Sequence, residues 1–133
     1  MAQEGEGLSA ADYVEALATV ASFRRRVAAL FQDYDLIFTP SATALPWPAA
    51  EAFPPEIDGR PVGPRGHAVY TGWVNVVGNP GLALPLGFSK AGLPLGGQFI
   101  GRFGSDSSLL AFGRSFEHTH GPAWRFSQMT LAG

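Results

Sequence analysis

Between Ser41 and Gly66 stand six prolines, Pro46, Pro48, Pro54, Pro55, Pro61 and Pro64. Each removes a backbone donor and fixes φ, so this stretch is expected to hold no regular helix or strand. A loop of that length is unusual inside a compact domain. It marks a functional cover, a linker, or a segment supported by structure outside the chain.

The flanking segments are patterned. Ser9, followed three residues later by Asp12, reads as an N-cap with a supporting acid, and Tyr13, Leu17, Val20, Phe23, Val27 and Leu30 follow at spacings of three and four. That spacing predicts an amphipathic helix from about Ala10 to Phe31. Asp35 to Thr39 has an apolar, β-favouring centre ending at Pro40, the pattern of a short buried strand.

Beyond the loop, Val69, Tyr70, Trp73, Val74 and Val77 return to helical spacing, and Gly78 stands where a left-handed C-cap is wanted. A short, largely buried helix is predicted from about His67 to Val77. Asn79-Pro80-Gly81 turns the chain into Leu82 to Leu86, and after Gly87 to Gly92 comes Leu95 to Ile100, together a β-hairpin. Pro85 in its first arm predicts an edge position or a bulge, because proline cannot donate to the ladder. Ser105 and Asp106 open a last helix faced by Leu109, Phe112 and Phe116, ended by Gly121-Pro122; the tail 123–133 has no period. The 133 residues fit one domain, 1–133, with the loop at 41–66.

Charge narrows the function classes. Charged residues are 15% of the chain, against roughly 25% in an ordinary soluble domain. The deficit implies apolar surface meant to be covered by more protein, either a partner copy or the rest of a longer chain. A net charge of -2 disfavours nucleic acid, and Arg24-Arg25-Arg26 cannot share one helix face, so it reads as a solvated flank. No apolar run reaches membrane-helix length, and MAQEGEGLSA lacks the regions of a signal peptide, so cytoplasm is the expected location.

Chemistry is sparse. Ser41 lacks the G-x-S-x-G elbow of an exposed nucleophile, and no spacing ties it to His67 as a base. His118 and His120 diverge on a helix, and without cysteine no zinc set forms around them; Glu117 and Asp106 read as an exposed helix flank. The glycines from Gly92 to Gly97 match no phosphate-binding loop, and Lys90 reads as a solvated turn residue. No cofactor, metal ligand or catalytic residue is assigned.

Four stretches together resemble the last part of the amidase-signature family. They are Tyr34-Asp35-Leu36-Ile37-Phe38-Thr39-Pro40-Ser41, preceded by the helix start Leu8 to Tyr13; Thr71-Gly72-Trp73-Val74-Asn75-Val76-Val77-Gly78-Asn79-Pro80-Gly81; Leu84 to Gly87 with Gly92 to Arg102; and Asp106 to Glu117. The resemblance runs in order from about Gly7 to Arg125. It implies an α/β fold: a C-terminal fragment of the family's α/β/α architecture, with a few-stranded mixed sheet, a β-hairpin and about three helices.

The family's serine nucleophile, second serine in a cis peptide and lysine base lie in a Gly/Ser-rich signature that has no counterpart here. The resemblance therefore implies a piece of a larger amide hydrolase, opening at Met1 partway through it, inactive alone and partnered by the missing N-terminal segment. By the same resemblance Thr71, Trp73 and Val74 line the pocket for a small-molecule amide, with Ser41 at its edge. Core packing competes for Trp73 and Val74, and Asn75 is expected to satisfy neighbouring backbone. Two rival readings are a free-standing, non-catalytic module that self-associates or binds another chain, and independent catalysis through Ser41 and His67.

Overall fold

A computed structural model describes residues 5–121. Helix α1 spans Ala10–Leu30 and starts in a capping box. The Ser9 backbone N–H and hydroxyl donate to Asp12 Oδ2 at 2.8 and 2.6 Å, and the Asp12 N–H donates to Ser9 Oγ at 3.2 Å. These bonds satisfy donors left over at a helix start and hold the Asp12 carboxyl below its ordinary pKa.

Strand β1, Ile37–Pro40, follows, and the chain then enters the proline-rich stretch. The expectation of no regular element there is corrected. Glu56–Ile57 (β2) and Arg60–Pro61 (β3) pair antiparallel, and Gly66–Ala68 forms a single 3-10 turn. The cause is Asp58-Gly59, whose φ values of 52° and 70° are those of a tight hairpin turn. Two residues on each side of such a turn can pair even between prolines.

Helix α2, Val69–Val77, ends at Gly78, whose φ of 78° fulfils the left-handed cap. Strands β4, Gly81–Phe88, and β5, Pro94–Ile100, make the hairpin, and helix α3, Asp106–His120, closes the described chain. Ser105 stands at the N-cap of α3 but does not cap with its side chain; its hydroxyl donates back to the Arg102 carbonyl at 2.6 Å. The tail expected at 123–133 lies outside the described residues.

The main sheet has the order β1-β5-β4. Ile37 pairs with Ile100 and Thr39 with Gln98 on one side of β5, and Gly81 pairs with Ile100 and Leu84 with Gly97 on the other. All these pairings are antiparallel, so the mixed character expected of the sheet is not seen among the described residues. β4 lies at the sheet edge and carries an irregularity between Pro85 and Gly87, so both consequences predicted for Pro85 hold.

The sheet is covered on both sides. Ile100, fully buried, packs with Val27, Phe31, Val74 and Val77 against α1 and α2. Residues of opposite parity face α3: Phe99 meets Phe112 and Phe116 at 4.9 and 5.6 Å between ring centroids, and buried Gly113 lets α3 approach Leu82 closely. The described residues therefore form an α/β arrangement with three α-helices and the expected hairpin.

Two helices are less covered than their periodicity predicts. On α1 only Val27 is buried, while Tyr13, Val14 and Leu17 are exposed, because the packing against α2 and the sheet engages only the C-terminal half. On α2 Val74 and Val77 are buried, but Val69 and Tyr70 are exposed. Arg24 is not merely solvated: its Nε–H donates at 3.1 Å to the Val76 carbonyl in the last turn of α2, where a cation also complements the helix dipole. No described helix is long and apolar enough to cross a membrane.

Candidate functional site

A cleft of about 640 Å³ opens at the end of the sheet where β1 gives way to the loop. One wall is Phe38 with the loop through Ser41 to Trp47, and the other is Leu86 to Phe88 with Pro94 to Gly96 of the hairpin. The loop is held open by its own bonds. Thr43 donates through Oγ1 to the Gly66 carbonyl at 2.8 Å and through its N–H to the His67 carbonyl at 3.3 Å. Trp47 donates Nε1–H to the Glu51 carbonyl and lays its ring 5.1 Å from that of His67.

Ser41 is anchored to the hairpin. Its N–H donates to the Gly96 carbonyl at 3.1 Å, and its hydroxyl lies too close to Gly96 to leave room for a Cβ there. Gly97 works likewise on its neighbours, since a Cβ there would collide with Leu86 and Phe38. The Gly96-Gly97 pair lets the loop serine and two apolar side chains press onto the strand backbone.

Of the four nominated pocket residues, only Ser41 lines this cleft. Thr71, on α2, is half-buried and donates its hydroxyl to the Ala68 carbonyl at 3.1 Å. Val74 is in the core at 5% exposure, and Trp73 packs at the core's margin with Phe23, ring centroids 6.4 Å apart. Asn75 is exposed, and the backbone-satisfying role expected of it falls to Asn79, whose Nδ2 donates to the Gly101 carbonyl at 2.7 Å.

The hydrolytic alternative has no assembled pair. No hydrogen bond joins Ser41 to His67 among the described residues, and His67 Nδ1 is buried without a partner there, as is Thr39 Oγ1. On α3, His120 stacks on Phe116 at 4.5 Å with Nδ1 3.1 Å from its carbonyl, while His118 is exposed. No group of three or more His, Asp or Glu side chains among the described residues is placed to hold a metal ion.

Trp47, Leu86 and Gly96 are the site residues that sequence reasoning misses. The adjacent glycines inside a strand are the one signal that could flag a close approach of another segment.

Comparison with known proteins gives a consistent result. The family model described as Amidase matches residues 1–110. The putative amidase AmiD of Mycobacterium bovis is 32% identical over 126 residues, covering 91% of this chain and 25% of that protein. A glutamyl-tRNA(Gln) amidotransferase subunit of Brevibacillus brevis is 34% identical over 100 residues, covering 71% of this chain and 19% of that one. A crystal structure of an amidase superposes with a TM-score of 0.77 at 26% identity, covering 88% of this chain and 27% of that chain. The chain thus spans between 19% and 27% of the length of these relatives.

Proposed function

We propose a function from one premise, that this chain belongs to the amidase family. It acts as a single domain, 1–133, that supplies the C-terminal part of a cytoplasmic hydrolase of carboxylic amides. There it packs against the catalytic segment and forms part of the wall of the substrate pocket.

The observation that carries this reading is the coverage: most of this chain matches, and only about a quarter of AmiD is matched. Two features agree with it. Tyr13, Val14 and Leu17 leave the first half of α1 an uncovered apolar face. Among the described residues Thr39 Oγ1 and His67 Nδ1 lack partners, and an unpaired buried polar group costs about 1–3 kcal/mol. Within the wall, Ser41 lines the cleft; Thr71, Trp73 and Val74 are carried by α2, with Val74 in the core and Trp73 at its margin.

Two assays test the reading. The purified 133-residue chain should release no ammonia from carboxamides above the buffer blank; turnover that disappears in Ser41→Ala would overturn the assignment. A chimera carrying the matched stretch in place of its counterpart in the Mycobacterium bovis relative should hydrolyse amides that the parent hydrolyses. A folded but inert chimera would also overturn it.

The uncovered face of α1 favours one further reading, a non-catalytic module that self-associates through Tyr13, Val14 and Leu17. Sedimentation decides between them: a concentration-dependent dimer lost in Leu17→Glu supports the module.

A further inference from the structure

Asp58 is the one described residue other than glycine with a positive φ, 52°, and it precedes Gly59, whose φ is 70°. Both are exposed. The pairing of Ile57 with Arg60 closes a two-residue turn over them, so the amide between Asp58 and Gly59 stands at the tip of the hairpin. A Cβ built on Gly59 would meet nothing within 4 Å, so the approach to its nitrogen is open. The turn is also lightly held. Each arm has two residues, and below them the Val62 N–H donates to the Pro55 carbonyl at 3.1 Å. A hairpin this short opens locally at little cost, so its dihedrals can change without the main sheet or the helices moving.

We infer that Asp58-Gly59 is a self-modification site, at which the Asp58 side chain and the main chain exchange places to give an isoaspartyl linkage. The Gly59 backbone nitrogen attacks Asp58 Cγ and closes a five-membered ring. An N–Cγ bond forms, the bond from Cγ to the carboxylic acid hydroxyl breaks, and that hydroxyl leaves with the amide proton as water. Water then reopens the cyclic imide. Addition at Cγ restores aspartate; addition at the Asp58 main-chain carbonyl carbon breaks its bond to the Gly59 nitrogen and leaves the chain running through Cγ. The second product has one more methylene group in the backbone and a free α-carboxylate. The net change is an isomerisation that consumes no other reagent.

Gly59 decides the site. The other aspartates are followed by Tyr13, Tyr34, Leu36 and Ser107, whose side chains crowd the nitrogen that would attack. Asp12 and Asp106 also lie in the first turns of helices, which hold their backbone in one conformation. Asp58 instead starts from a left-handed conformation that is unfavourable for a residue with a Cβ. A two-residue turn has no room for the added methylene, so the Ile57–Arg60 pairing is lost on conversion. The inference stands apart from the proposed function, because it needs only the turn.

The test incubates the full 133-residue chain near neutral pH, both folded and in urea. Digests are read by mass spectrometry with electron-transfer fragmentation, which cuts the extra Cα–Cβ main-chain bond of isoaspartate. Isoaspartate should accumulate at residue 58 at least about tenfold above every other aspartate, at a folded rate within about tenfold of the unfolded one. Asp58→Asn, which keeps a residue tolerant of positive φ and releases ammonia in place of water, should form the same imide at least about tenfold faster. Asp58→Glu, whose ring would need six members, should stay at background. Exchange of the Ile57 and Arg60 amides should rise in step with the modified fraction. Isoaspartate at residue 58 no higher than at Asp106, a folded rate more than about tenfold below the unfolded one, or Ile57 and Arg60 exchange that ignores the modification would each overturn the inference.

Discussion

Gln98, at the centre of the sheet, donates its side-chain Nε2–H to the carbonyl of Tyr70 on α2, 3.1 Å away. Among the described residues it is the one buried polar side chain, at 8% exposure, and it ties the strand that holds both sheet edges to the helix above. Removing the donor while keeping the volume, as in Gln98→Met, should cost about 1 kcal/mol, and Gln98→Ala more, because a cavity is added. Urea midpoints of the two variants measure this. If Met is neutral and Ala equals it, the bond contributes nothing.

Gly97 is expected to refuse a methyl group. A Cβ there meets Leu86 and Phe38, and overpacking of this kind costs about 1–3 kcal/mol. Gly97→Ala should lower the thermal midpoint, and adding Leu86→Ala should recover part of the loss. A double variant less stable than both single ones would refute the collision as the cause.

Gly78 tests conformation apart from space. A Cβ there would lie in ordinary contact with Phe103, 3.6 Å away, so only the φ of 78° opposes a substitution. Gly78→Ala should therefore cost roughly 1 kcal/mol through backbone strain alone. Gly78→Asn should cost less, since Asn tolerates that region better. Denaturation of the two variants side by side settles the order.

Asp12 gives the start of α1 a pH dependence. Hydrogen bonds from Ser9 lower its folded pKa, so its support of the helix is complete above the unfolded value, about 3.9, and fades as pH falls through the lower folded value. Amide protection factors at the first turn of α1, which correct for the intrinsic pH dependence of exchange, should fall on acidification through that window, and Asp12→Asn should abolish the dependence. An unchanged profile in Asp12→Asn would assign the effect elsewhere.

What the chain discloses about its fold is mostly local. The end of α2 and the hairpin are legible because Gly78 and Asn79-Pro80-Gly81 impose their geometry on adjacent residues alone. The Asp58-Gly59 hairpin is equally local, yet the surrounding prolines mask it in any inference from density. Periodicity reads α1 correctly as a helix with an apolar face but does not say what covers that face; here only the half near Val27 is covered. The cleft is illegible for another reason: it joins a loop after β1 to the far end of a hairpin distant in sequence, and no short-range pattern connects Ser41 with Gly96. Trp73 and Val74 illustrate the reverse, since apolar residues at helical spacing serve a core as readily as a pocket.

The placing of β5 between β1 and β4 also sets an order of events. The hairpin needs only a short turn to meet itself, but β1 can reach β5 only after everything from Ser41 to Leu93 has looped back, an entropy that must be spent before any pairing returns it. The Ile37–Ile100 register is then a late arrival on the folding path. Stopped-flow measurements on Ile37→Val should show faster unfolding with refolding almost unaltered.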